Sequence, residues 1–196
     1  MTLHSPPFRI CVVGAESTGK TTLCSDLAAA WGVPFVPEFG RWYTEAMPDP
    51  SQYTWTSADF LTIAEVQHRL EDDAARWVGD LVICDTGAYT TALFHEAYMG
   101  EPSAELDALG ARDAERYDLI VVCDIDTPFQ QDATTGLRRE GPQRAWMHER
   151  YLQLVQPLGT RGRGIVVRGT PESRVRCVLE HLSCHHGLSP APATKH

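Results

Sequence analysis

Five near-continuous apolar runs, FRICVV (8–13), VPFV (33–36), DLVICD (80–85), DLIVVCD (118–124) and GIVVRG (164–169), stand 15 or more residues apart along the chain. Strands this uniformly apolar bury both of their faces, and spacers this long leave room for a helix between each pair. The pattern therefore predicts a parallel sheet covered by helices on both sides. Helical patterns fit Thr21–Trp31, Ser57–Trp77 with Ser57 as N-cap, about 103–116, Gln143–Leu154 and Pro171–Cys184. No internal repeat occurs. The 196 residues suit one α/β domain, expected over 1–186. The Pro- and Ala-rich end, 187–196, is too short of core formers to order and is expected to be a disordered tail.

The first apolar run leads directly into GAESTGKTT, and a helical pattern follows at once. Gly14, Gly19, Lys20 and Thr21 satisfy GxxxxGK[ST], for which this composition gives on the order of 0.002 accidental matches per chain. Glycines let the backbone wrap around phosphates without a Cβ in the way, and the following helix directs its N-terminal donors and positive dipole end at them. Lys20 supplies a compact charge for the β and γ phosphates, and the Thr21 hydroxyl suits a Mg²⁺ ligand. The chain holds only two lysines, Lys20 and Lys195. The lone internal lysine is thus expected to hold a nucleoside triphosphate, with Gly14, Glu16, Ser17, Thr18, Gly19, Lys20, Thr21 and Thr22 as the cradle.

Composition narrows the partners. A net charge of −9 carries no basic footprint for nucleic acid. Six dispersed cysteines, three of them inside apolar runs, read as reduced and buried, which fits the cytoplasm. No apolar run approaches the ~18 residues of a membrane span, so no membrane association is expected. His181, Cys184, His185 and His186 lack a second ligand pair at zinc spacing and read as a solvated helix end.

In an open parallel sheet, ligands bind beyond the carboxyl ends of the strands. Glu38 and Arg41 follow the second run, Asp85 ends the third, and Asp124 and Asp126 end the fourth. Asp85 is the first candidate for the Mg²⁺ site, with Asp124 its rival, and Glu38 suits a base for a substrate hydroxyl. Residues 31–60 hold eight of the 17 aromatics. Trp42, Tyr43, Tyr53 and Trp55 fall in a stretch read as a loop, where their rings suit stacking on a flat ligand. DATTGLRREGPQRAW (132–146) carries Arg138, Arg139 and Arg144 among turn residues, which suits a lid over the transferring phosphoryl group.

With GAESTGKTTL, PEFGRWY, ICDTGAYTTALF and GLRREG in this order over about residues 8–183, the chain resembles the ribosylnicotinamide kinase family, found as the C-terminal domain of NadR-type proteins. The resemblance implies a three-layer, kinase-type P-loop fold with an arginine-bearing lid. It also implies transfer of the ATP γ-phosphate to the 5′-hydroxyl of nicotinamide riboside, a step of NAD biosynthesis. Gly14 to Thr22 match the phosphate loop, Glu38 and Arg41 the PEFGR element near the acceptor, Asp85 the acidic strand end, and Arg138 the lid arginine. One departure is Gly87, where the family often carries a second acid. The rival readings are a deoxynucleoside kinase and a regulatory NTPase that needs no small acceptor.

Overall fold

A computed structural model describes residues 6–50, 52–130 and 141–191. The order of elements is β1 (Phe8–Val13), α1 (Lys20–Trp31), β2 (Phe35–Val36), α2 (Phe39–Glu45), α3 (Ser57–Trp77), β3 (Leu81–Asp85), α4 (Ala88–Met99), α5 (Ala104–Arg116), β4 (Leu119–Cys123), α6 (Pro142–Gly159), β5 (Gly164–Val167) and α7 (Pro171–His186). All five apolar runs form strands. They join one sheet in the order β2-β3-β1-β4-β5, and every neighbouring pair is parallel.

Alternation along the strands divides the core in two. Ile10 and Val12 of β1, with Ile83, Leu119 and Val121, pack on Leu23 and Leu27 of α1 and on Val178 and Leu182 of α7. Cys11 and Val13, with Val82, Cys84, Ile120 and Val122, face Leu93, Met147, Tyr151 and Val155 on the other side. Each such side chain, fully buried, contributes ~1.5–3 kcal/mol, so the sheet is anchored from both faces. Cys11, Cys84 and Cys123 serve as small apolar residues there. Burial pushes the Cys11 and Cys84 thiols well up and that of Cys123 to about 11, which keeps them protonated.

A third cluster, Phe60 and Ala64 of α3, Ala88 and Ala92 of α4, and Leu106 and Leu109 of α5, lies beyond the β3 side of the sheet. It fixes helices that wall a cleft beside Glu38. Here the structure departs from the sequence reading. Residues 39–45, read as part of a loop, form α2, so Trp42 and Tyr43 are helical. α4 has no polar stripe because six of its residues are buried, and a helix covered on several sides shows no 3.6-residue period. The N-cap of α3 is Thr56, not Ser57. Thr56 and Asp59 form a reciprocal capping box, in which the Asp59 carboxylate accepts from the Thr56 backbone N–H at 2.8 Å. α6 continues past Leu154, with Pro157 in its last turns. At the far end, Gly187 takes a left-handed conformation and Leu188 folds back on the core. Among the described residues, no helix is long and apolar enough to cross a membrane.

The α4–α5 crossing is close because residue 110 is glycine. A Cβ there would meet the Tyr89 Cα at 2.9 Å, and backbone cannot move aside cheaply. Gly110→Ala is expected to lose about 1–3 kcal/mol of stability, as overpacked cores do. Urea denaturation of variant and wild type measures it. An unchanged midpoint would show that the crossing has slack.

Candidate active site

β1 lies at the centre of the sheet with β3 on one side and β4 on the other, so the loop after it opens where the crossovers diverge. Gly14 sits so close to β4 that a Cβ would be 2.8 Å from the Cys123 carbonyl oxygen. Gly19, at φ 80°, caps α1. The carbonyls between them are held by side chains. Ala15 O accepts from Thr18 Oγ1 at 2.8 Å and from Lys20 Nζ at 3.1 Å. Glu16 O accepts from Arg144 Nε at 3.0 Å, Ser17 O from Thr127 Oγ1 at 3.1 Å, and Thr18 O from Arg174 Nη1. Carbonyls committed in this way leave backbone N–H groups and the α1 N-terminus to meet an anion. The side chains of Glu16 and Thr18 are buried within the loop, and Ser17 takes a left-handed φ of 56°.

β3 pairs with β1 so that Asp85 stands opposite Val12, one residue before the loop begins to turn. Thr21 Oγ1 donates to Asp85 Oδ2 at 2.5 Å. Asp85 Oδ1 is buried and has no hydrogen-bond partner among the described residues. A buried carboxylate oxygen without a donor, beside the threonine of the loop, fits a hard cation or its water shell. The carboxyl is pushed above its ordinary range, first by burial and then by the charge of Glu38. Lys20, the Thr21 bond and Arg41 partly offset this. The rival, Asp124, is committed elsewhere. It accepts from Arg168 Nε at 2.5 Å and Ile125 N at 2.6 Å, and lies 3.3 Å from His148 Nε2. Burial alone would raise its carboxyl, but these partners hold it below the usual range.

Glu38, the N-cap of α2, lines a cleft of about 580 Å³ beside this loop. Trp55, Phe60, Phe94 and Tyr98 give the cleft its aromatic walls, and Gln67, Thr44, Thr86, Thr90 and Thr91 its polar points. Trp55 sits at the centre of the ring cluster, 5.2 Å from Phe60, 5.5 Å from Tyr53 and 6.2 Å from Tyr98 between centroids. Of the four rings expected to stack on a ligand, Trp55 is the one that lines the cleft. Trp42, on α2, is half exposed and is not among the residues that line the cleft. Tyr43 donates to Asp59 Oδ1 at 2.6 Å, which pushes its hydroxyl to about 12 and ties α2 to α3 behind Trp55. Arg41, also on α2, acts on Asp85 through its charge.

A second cavity of about 310 Å³ lies on the other side of the phosphate loop, between Thr18, Gly19, Thr22, Thr127, Gly169 and Arg174. Arg174 is its hub. This buried arginine donates to Gly169 O at 3.1 Å and Asp126 Oδ1 at 2.5 Å as well as to the loop, and so fixes three strand ends together. A single arginine inside a helix gives no sequence signal for such a role. Arg144, read among lid turns, is instead a buried residue of α6 that braces Glu16 O and Thr127 O. Arg138 and Arg139 lie outside the described residues.

The raised Asp85 carboxyl makes a stability prediction. The native state keeps this proton at a pH where the unfolded chain has lost it, so stability falls as pH rises through that interval and the cost persists above it. Asp85→Asn, which can still accept from Thr21, should raise the melting temperature of the nucleotide-free protein at pH 8. The gain should shrink as pH falls toward the ordinary aspartate value of about 4 and vanish below it. A variant that melts lower at pH 8 would contradict the assignment of a buried charge here.

Comparison with known proteins agrees with this geometry. The trifunctional NAD biosynthesis/regulator protein NadR of Escherichia coli (strain K12) is 29% identical over 132 residues, 67% of this chain but only 31% of the NadR length. A crystal structure of NadR protein in complex with NR superposes with a TM-score of 0.68 at 21% identity, covering 96% of this chain and 54% of that one. NadR protein in complex with NAD and AMP-PNP gives 0.70 at 21% identity, covering 96% and 52%. Deoxyadenosine kinase from M. mycoides with bound dATP gives 0.61 at 10% identity, covering 90% and 99%. At these identities the superpositions establish the fold, a kinase-type P-loop architecture. A family model described as an AAA domain matches residues 9–174, and the chain belongs to that family of P-loop proteins.

Proposed function

We propose that this chain is a nucleoside kinase that transfers the γ-phosphoryl group of ATP to the 5′-hydroxyl of nicotinamide riboside, giving nicotinamide mononucleotide in the cytoplasm. One observation carries the reading. A carboxylate, Glu38, stands in an aromatic cleft beside the phosphate loop, and among the described residues no lysine or arginine lines that cleft. Walls of Trp, Phe and Tyr beside a carboxylate suit a flat, positively charged ring such as a pyridinium, through stacking and cation–π attraction. The NadR proteins, one of them in complex with NR, support the same choice over an uncharged deoxynucleoside.

The chain's residues then divide the work. The phosphate loop and Lys20 hold the β and γ phosphates. Thr21 and the unpartnered Oδ1 of Asp85 would hold Mg²⁺, whose chemistry is to neutralise charge on the phosphates. Glu38 orients the 5′-hydroxyl and accepts its proton as the oxygen bonds to the γ-phosphorus and the bond to the ADP oxygen breaks. The second cavity, beyond Gly19 and Thr22, takes the donor's nucleoside end. Trp42 and Tyr43 support the acceptor wall from behind, and Arg138 is assigned to the transferring phosphoryl group.

Mass spectrometry of a mixed incubation with ATP, nicotinamide riboside and thymidine tests the substrate. Nicotinamide mononucleotide is the expected product, and phosphorylated thymidine without it would contradict the proposal. Among variants, Lys20→Ala should abolish transfer with the fold intact by circular dichroism. Glu38→Gln should lower kcat by about 10²–10⁴-fold with the KM for ATP nearly unchanged. If Glu38→Gln retains the wild-type kcat, Glu38 is not the base.

A further inference from the structure

Behind the acceptor cleft lies a group of buried polar residues that the proposed chemistry does not use. Asp113 of α5 is 2% exposed and Glu71 of α3 is 0% exposed. Asp113 Oδ1 lies 2.8 Å from His68 Nε2, and Asp113 Oδ2 accepts the Tyr89 backbone N–H at 2.7 Å. Tyr117 Oη lies 2.9 Å from both oxygens of Glu71, and Arg116 donates to Glu71 Oε2 at 3.3 Å. Gln67 connects this group to the cleft it lines. Its Nε2 donates to Glu71 Oε1 at 3.3 Å, and its Oε1 accepts the Phe39 backbone N–H at 2.9 Å.

Phe39 is the residue after Glu38, and Tyr89 lies in the first turn of the helix that follows Asp85. The two backbone amides held by this network are therefore those that aim the two acids of the site. The N-cap of α4 is Gly87, which has no side chain to supply a cap. A Cβ at residue 87 would sit 2.7 Å from both Asp113 Oδ2 and Tyr117 Oη. The cap comes from α5 instead. A helix capped by its own turn is fixed only to itself, whereas this one is fixed to α5 and, through His68, to α3. Between Asp85 and Gly87, Thr86 holds a φ of 69°, a conformation that is costly for a β-branched residue and persists only where flanking bonds enforce it. The Thr86 N–H bond to Val12 O at 3.0 Å and the Asp113 cap supply that enforcement on either side. Buried carboxylates are a poor way to add stability, since apolar residues of equal volume usually do better.

We infer that Asp113 and Glu71 are positioning residues, which lock the starts of α2 and α4 to α3 through two adjoining buried groups, bridged by the Arg116 bond to His68 O at 3.4 Å, and so fix Glu38 and Asp85 relative to each other. The inference rests on the proposed kinase reading for its kinetic consequence but not for the coupling itself. Burial and the charge of Asp113 raise the Glu71 carboxyl, which Tyr117 and Arg116 only partly offset.

The test uses Asp113→Ala, Asp113→Asn and Glu71→Gln in the full chain, with rates expressed per mole of folded protein. Asp113→Ala should lower kcat/KM for the nucleoside about 10- to 100-fold, the scale of a ~1 Å misplacement of reacting groups, while the KM for ATP stays within about twofold. Asp113→Asn keeps an oxygen for the Tyr89 amide and should recover most of the loss. Hydrogen exchange, read without substrate, should show faster exchange in both segments 39–45 and 86–91 for Asp113→Ala and for Glu71→Gln, with α1 unchanged. Glu71→Gln carries the test if Asp113→Ala does not fold. Deprotection confined to 86–91 in both variants would overturn the coupling, as would unchanged kinetic constants in a merely less stable protein. If the wild type phosphorylates no nucleoside, the kinase reading falls, and the exchange pattern alone decides the coupling.

Discussion

The register of β1 against β3 is the constraint on which the rest of the site depends. Val12 pairs with Asp85, so the phosphate loop and the acidic strand end leave the sheet side by side. That adjacency allows Thr21 to reach Asp85 and sets Lys20 close enough for its charge to act on that carboxyl. In a parallel sheet buried on both faces, a slip of one residue would turn every strand side chain to the opposite layer. The apolar packing of Ile10, Val12 and Ile83 on one face and Cys11, Val13 and Cys84 on the other therefore fixes the chemistry as well as the fold. The hydrophobic effect supplies the precision, although none of these side chains touches the cleft.

The molecule spends part of that stability on its site. Asp85 is buried with one oxygen that no described residue donates to, Thr86 is held in a left-handed conformation, and Glu71 and Asp113 are buried carboxylates that repel each other. Each is unfavourable alone. Together they flank a single turn, between the end of β3 and the start of α4, and such clustering of strain and desolvated charge is what preorganised sites show. The arginines on the other side do the opposite. Arg144 and Arg174 satisfy loop carbonyls and remove the cost of holding them apart from water.

Much of this was legible in the sequence because local rules suffice for it. The five apolar runs mark five strands, GxxxxGK[ST] marks the loop, and acids at the ends of apolar runs mark where ligands collect. That last rule singles out Asp85 and Glu38, which the fold places beside the loop and in the cleft. Trp42 and Tyr43 show where it stops, since aromatic richness near a site does not say which ring faces inward; that depends on α2 packing against α3. α4 escaped because a helix buried on several sides has no polar stripe to betray its period. Asp113, Glu71 and Arg174 escaped for another reason. Each is an ordinary charged residue in a helical stretch, and only the tertiary fold decides that it is enclosed.

A site that moves a phosphoryl group to a nucleoside rather than to water, as proposed for this chain, is tested most directly by the ratio of ADP formed to nucleoside phosphorylated. With ATP, Mg²⁺ and nicotinamide riboside, the account predicts one ADP for each nicotinamide mononucleotide, and ADP formation near background when the nucleoside is left out. ADP released at the same rate with and without the nucleoside would contradict it and would make the chain a nucleotide-hydrolysing switch.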